Sequence, residues 1–197
     1  MVFDRLDGDA VDGDVEYEKV REQTRRSVIA LERARRVAVG DHLSFVFENR
    51  DTVLFQIQEM CRVERITDDA RIQDEIDVYA ALLPAAGELS ATVMIEIPDR
   101  EQIQPVLDRF MRIDVGPRVW MQVGKEFAVP ARFEAGHSDE EKGKLAAVHF
   151  ARFAFSEAAV RAFLEASVFL VVDHPALRAR TELTAQTKAS LLEDLCG

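Results

Sequence analysis

Phe47-Glu48-Asn49-Arg50-Asp51-Thr52-Val53-Leu54-Phe55-Gln56-Ile57-Gln58-Glu59-Met60 leads from the end of an apolar strand, through a polar corner, into a helix with too little polar surface to lie open to water. Upstream of it, His42 to Glu48 alternates, with Leu43, Phe45 and Phe47 on one face and His42, Ser44, Val46 and Glu48 on the other. That period of two predicts a half-buried strand. Asn49-Arg50-Asp51 reads as a turn, with Asp51 or Thr52 as the N-cap of the helix that follows.

Set at about 100° per residue, positions 52–66 gather Gln58, Arg62 and Arg65 into one solvated wedge. Val53, Leu54, Ile57, Met60 and Cys61 form the main apolar arc, and Phe55, Val63 and Ile66 extend it. Cys61 therefore reads as a packed thiol rather than a reactive one. Three polar residues fall inside apolar territory: Glu64 among Val53, Ile57 and Met60, Glu59 between Ile66 and Thr52, and Gln56 beside Val63. A buried carboxylate without a partner costs several kcal/mol, roughly, after relaxation. Arg35, Arg36, Arg50 and Arg152 are the expected partners. If arginines meet these groups, the cluster is a salt-bridge network that fixes the helix.

The sharper alternative is a small-molecule or metal site. Glu48 and Glu96 project from the more polar faces of their strands, and His149 lies in Ala147-Val148-His149-Phe150. Glu48, Glu59, Glu96 and His149 together would suit iron, manganese or zinc. The wider set of candidate ligand-binding residues adds Arg36, Arg50, Gln56, Arg152, Asp173 and His174. Against this, His149 shares a face with Phe153 and Phe155, which suits a satisfied core histidine, and Trp120 reads as core. Asp173-His174-Pro175 closes the apolar run Val168 to Val172 and reads first as a strand-ending turn.

Outward from the centre, residues 1–14 are rich in Asp and Gly and predict a mobile acidic lead-in before one domain over 15–197. Tyr17, Val20, Thr24, Val28, Leu31, Ala34 and Ala38 recur at helical spacing over 15–39, with Gly40 as the stop. Arg33, Arg35 and Arg36 sit where cations complement the helix dipole, or pair with a buried carboxylate or an anionic ligand. Further helices are expected over 69–83 and 99–113, from Ser156 to about Ala166, and from Thr184 to about Leu195. Strands are expected over 91–97, 118–123, 126–133, 145–155 and 168–172, with Gly124-Lys125 as a hairpin turn. Glu134 to Lys144 reads as an exposed flexible loop. Without regular alternation of strand and helix, the pattern predicts an α+β single domain. Its sheet would be mixed or mostly antiparallel, of about five or six strands, with flanking helices and a long N-terminal helix.

The 197 residues carry a net charge of −11, which opposes a sequence-independent grip on nucleic acid and favours a basic partner. Two cysteines, Cys61 and Cys196, are too few for a disulfide framework or a thiolate metal site. With no apolar run near the ~20 residues that span a bilayer and no apolar leader, a soluble cytoplasmic protein is expected. There is no glycine-rich phosphate loop, His-Glu-x-x-His or Gly-x-Ser-x-Gly. Glu134-Ala-Gly-His137 has a di-iron spacing, but Gly136 argues against the helix this would need.

Phe47-Glu48-x-Arg50-x-Thr52-x-x-x-Gln56-x-Gln58-Glu59-Met60, preceded by Arg35-Arg36, resembles the bacterial family called domain of unknown function 3501. Ala91-Thr92-x-Met94-Ile95-Glu96, Val148-His149-Phe150-x-Arg152-Phe153 and Asp173-His174-Pro175 are similar to its later blocks. The resemblance covers nearly the whole chain from about Val15 and brings no catalytic residues with it. It implies a gene neighbourhood of rubrerythrin-like and iron–sulfur oxidoreductase proteins. The expectation that follows is a non-catalytic accessory or binding protein, a homodimer beside a redox partner. The alternatives are an enzyme or sensor with a carboxylate–histidine site, and a purely structural polar cluster. No cofactor is specified.

Overall fold

The computed structural model describes residues 11, 14–139 and 143–196. Most of the expected lead-in therefore lies outside the described residues, as do residues 140–142 of the charged loop.

The long helix α1 (Asp14–Arg35) stops four residues earlier than its periodicity suggests. Arg36-Val37-Ala38-Val39 instead alternates exposed and buried as strand β1 (Arg36–Val39), antiparallel to β2 (Leu43–Glu48). Gly40 makes this hairpin: its φ is +65°, and a Cβ there would sit 2.7 Å from Leu177 Cδ1. Then come α2 (Arg50–Glu64), α3 (Asp69–Ala80), β3 (Glu88–Ile95), a 3₁₀ turn (Arg100–Gln102) and α4 (Ile103–Phe110). β4 (Val119–Val123) and β5 (Phe127–Phe133) form the expected hairpin. In the charged loop, β6 (Ser138–Asp139) pairs with β7 (Lys144–Leu145). β8 (Val148–Ala154), α5 (Glu157–Glu165), β9 (Val168–His174), β10 (Leu177–Glu182) and α6 (Ala185–Cys196) complete the chain. Ser156 caps α5 and Thr184 caps α6 through their hydroxyls, as their positions predict.

The main sheet has eight antiparallel strands in the order β1-β2-β3-β8-β5-β4-β9-β10, more than the five or six expected. Two strands escaped the sequence reading. β1 was absorbed into the end of α1, and β10 is a polar edge strand whose residues are only half-buried or exposed. The end strands approach one another, and Thr181 Oγ1 on β10 donates to the Ala38 carbonyl on β1 at 2.7 Å. The sheet thus rolls nearly into a barrel.

The inner face holds one core. Leu43, Phe45 and Phe47 meet Leu89, Ala91, Val93, Met121, Val123, Phe153, Leu170 and Val172, while α4, α5 and α6 add Phe110, Phe163 and Leu191. Each large side chain so buried contributes about 1.5–3 kcal/mol. Trp120 is only half-buried and stands outside this core.

On the outer face of β2 and β3 lies a second cluster, where Val53, Ile57 and Cys61 of α2 pack with Ile76 of α3, Leu82 and Val11. Both faces of β2 are consequently covered, and all six of its residues are buried. Packing of α1 along α2 also rearranges the helical wedges. Gln58, expected in solvent, is 5% exposed, whereas Val63, expected in the apolar arc, is 65% exposed. Glu64, expected among apolar neighbours, is exposed in the last turn, just before the left-handed cap at Arg65.

Candidate functional site

Asn49, not Asp51 or Thr52, is the N-cap of α2. It forms a reciprocal box in which Thr52 N–H donates to Asn49 Oδ1 and Asn49 N–H donates to Thr52 Oγ1, both at 3.0 Å. This cap places the first turn of α2 over the end of β2, where Glu48 is 3% exposed. Thr52 Oγ1 and Thr92 Oγ1 each donate to the Glu48 carboxylate at 2.5 Å, and Gln56 Nε2 donates at 3.0 Å. Three neutral donors thus satisfy the carboxylate, one on Oε1 and two on Oε2. Among the described residues no lysine or arginine lies within ion-pair distance of it.

Arg35 holds the backbone of this corner. Fully buried, it donates to the carbonyls of Phe47 at 2.7 Å and Glu48 at 3.1 Å, to Ser190 O and Oγ at 3.1 Å, and pairs with Asp194. Burial pushes the Asp194 carboxyl up, with the Arg35 guanidinium opposing. Of the two readings of the basic cluster, Arg35 follows the buried carboxylate. Arg36, one residue on, makes a surface pair with Glu96 at 2.6 Å.

Outside Glu48 the surface opens into a groove of about 300 Å³ walled by Glu32, Phe55, Gln56, Glu59, Met60, Val63 and Tyr79. Glu32 was not anticipated, although it follows Val28 by one helical turn on the packed stripe of α1. Burial, and secondarily the Glu48 carboxylate, push its carboxyl up, and Arg36 pulls it down. Among the described residues Glu32 has no hydrogen-bond or ion-pair partner at contact distance. A second groove, of about 640 Å³, runs between α1 and α2 past Val20, Val28, Leu31, Leu54 and Phe55, so that Phe55 borders both.

Of the remaining candidates only Glu59 borders this groove. Glu59 meets arginines, but Arg21 and Arg62 rather than those expected. Arg21 Nε and Nη2 donate at 2.7 and 2.9 Å, Tyr17 Oη at 2.8 Å and Arg62 at 3.3 Å. Led by Arg21, these donors hold its carboxyl at about 2. His149 is fully buried facing the inner core, and Nε2 donates to Ala146 O at 2.9 Å. Its Nδ1 faces Asp114 Oδ2 at 3.8 Å without a hydrogen bond, and burial lowers its pKa.

Arg152 donates to the Ala81 and Leu83 carbonyls and approaches Glu88 at 3.4 Å. His174 Nδ1 accepts from Ala176 N–H at 3.1 Å, leaving Nε2–H to donate to Met111 O at 3.0 Å. Asp173 pairs on the surface with Arg178, and Pro175-Ala176 turns β9 into β10 rather than ending the sheet. Arg50 is exposed at the start of α2. The structure therefore brings Glu48 and Gln56 into contact, puts Glu59 on the wall of the same groove with its own arginines, and leaves Glu96 and His149 in two other environments. Among the described residues no group of three or more His, Cys, Asp or Glu is placed to hold a metal ion. Nor is any described helix long and apolar enough to cross a membrane.

The family model described as "Protein of unknown function (DUF3501)" matches residues 9–195. The chain belongs to the DUF3501 family. A crystal structure of a protein of unknown function from Burkholderia pseudomallei is similar to it at 33% identity and a TM-score of 0.89. The match covers 98% of this chain and 100% of that one, so the fold is shared along its full length. A search of curated proteins found no match.

Proposed function

We propose that this DUF3501 chain is a binding protein whose recognition face is the outward side of α2 between α1 and α3. One observation carries the reading. α2 keeps Phe55, Met60 and Val63 at the walls of two grooves that meet at Phe55, while Glu59 beside them is closed by Arg21 and Arg62. The gene neighbourhood that the family resemblance implies, of rubrerythrin-like and iron–sulfur oxidoreductase proteins, motivates an iron–sulfur or rubrerythrin-type partner for that face. Affinity-tagged protein expressed at its native level should retain such a partner, identified by mass spectrometry and by its iron chromophore. Val63→Asp, at a position 65% exposed, should release it without shifting the unfolding midpoint. Recovery of wild type alone would overturn the proposal.

A second reading, a small-molecule site of the enzyme or sensor kind, is favoured by Glu48, a buried carboxylate held without a cation. Metal or ligand that co-purifies stoichiometrically with wild type and is lost from Glu48→Gln would select it. Protein that is free of both would remove it.

A further inference from the structure

We propose that the groove beside Glu48 takes a lysine side chain presented by the protein partner, with its ammonium against Glu32 and its stem along Phe55, Met60 and Val63. The inference rests on the binding reading above and names the chemistry of the occupant.

The charges around the groove do not balance. Arg36 is committed to Glu96 at 2.6 Å, and Arg21 and Arg62 are committed to Glu59. Glu32 and Glu48 remain, one at the groove wall and one behind Gln56, and among the described residues neither has a cation at contact distance. Tyr79 of α3 also lines the groove, its phenol pushed up by burial and secondarily by Glu75. A cation entering here would meet unspent negative charge in a partly desolvated space, where attraction is screened less than on an open surface.

The walls select the rest of the ligand. Phe55 and Tyr79 offer aromatic faces, which attract ammonium groups, and Met60 and Val63 offer apolar contact for an alkyl stem. A volume of about 300 Å³ is at the small end for a ligand pocket and suits one side chain better than a cofactor. The two oxygens of the half-buried Glu32 carboxylate accept a guanidinium fork or an ammonium, and in a groove of about 300 Å³ the compact ammonium on an unbranched alkyl stem is the smaller fit. The larger α1–α2 groove lies on the other side of Phe55, which lines both, and offers the backbone carrying the lysine a place to lie. The chain's net charge of −11 favours approach of such a partner.

The test is a titration of the full-length ¹⁵N-labelled protein with N-acetyl-lysine methylamide, its Nε-acetylated form and 1,4-diaminobutane. The lysine probe should shift the Gln56 and Tyr79 resonances saturably. Acetylation of its amine should weaken binding tenfold or more, and Glu32→Gln should do the same while unfolding no earlier than wild type. Equal binding of the acetylated probe, indifference to Glu32→Gln, or no binding would overturn the proposal. Diaminobutane binding tenfold tighter than the lysine probe would also overturn it, assigning the groove to a free amine. If the lysine probe fails while wild type still retains its partner and Val63→Asp releases it, only the lysine chemistry falls and the binding reading stands.

Discussion

Arg35 and Glu48 are buried ionic groups at the same corner of the fold, and their surroundings are opposite. The Arg35 guanidinium is enclosed by the Phe47 and Glu48 carbonyls, Ser190 and the Asp194 carboxylate. Glu48 is hydrogen-bonded only by neutral groups, and beyond Gln56 it looks toward a groove containing another unpaired carboxylate. The first arrangement is complete within the chain and clamps α1 and α6 to the end of β2. The second leaves charge that nothing in the described chain neutralises. Burial alone does not distinguish architecture from recognition; the presence of a counter-charge does.

The comparison breaks most readily at Arg35. Arg35→Met leaves Asp194 buried without its cation and strips donors from two strand carbonyls. Breaking a buried pair from one side costs about 3–5 kcal/mol. For a domain of this size that is a fall of roughly 6–20 °C in the thermal midpoint, since each kcal/mol is worth about 2–4 °C. A fall below about 3 °C, measured by calorimetry, would place Arg35 outside the architecture.

Glu59 is the intermediate case, charged and fully partnered but nearer the surface. Glu59→Gln should cost about 1–2 kcal/mol, a few degrees. Its folded pKa of about 2 lies below the ordinary 4.5. Its stabilisation is therefore present above about 4.5 and is lost as pH falls through about 2. Urea midpoints between pH 5.5 and 3 should accordingly fall less steeply in the variant than in wild type. Parallel slopes would remove Glu59 as a source of acid sensitivity.

These positions also show what the sequence could reveal. α2, α3, β2, β3 and the caps at Ser156 and Thr184 were legible because each depends on periodicity or a local hydrogen bond. β1 was not, because Arg36 to Val39 continues the helical spacing of Ala34 and Ala38, and the antiparallel pairing with β2 across the Gly40 turn is what makes it a strand. β10 was missed because Leu177 to Glu182 has a polar edge-strand pattern without a buried face. At the site, Glu48 and Gln56 were legible from the strand's polar face and the adjoining helix. The partners of Glu59 were not, since Arg21 lies 38 residues away, on a helix whose crossing over α2 no spacing records. The same crossing buries Gln58 and exposes Val63.

Glu48→Gln is expected to cost about 1 kcal/mol, because the amide keeps one of the two acceptor oxygens, the donor facing the new NH2 loses its acceptor, and a charge that has no cation is given up. A loss equal to that of Arg35→Met would make the two corners equivalent and erase the distinction. His149 and His174 set a pH dependence of their own. Burial holds both below the ordinary histidine pKa, so folding favours their neutral forms, and stability falls as pH drops through that ordinary value of about 6.5. Their glutamine variants should have flatter midpoint-versus-pH curves between pH 7.5 and 5.5. An unchanged slope in the double variant would assign the dependence elsewhere.

Glu32 gives the smallest effect and the most diagnostic sign. Its carboxyl is raised by burial and by Glu48, so the folded state binds its proton more readily than the unfolded chain does. The stability it contributes is present at acid pH and is lost as pH rises through its folded pKa, above which an ionised, unpartnered Glu32 is a cost. Glu32→Gln should therefore raise the thermal midpoint slightly at pH 7.5, and the gain should shrink toward pH 4. A variant destabilised at pH 7.5 would mean that Glu32 is already paired within the chain. The groove would then be closed in the manner of Arg35, and a lysine would have no unspent charge to meet.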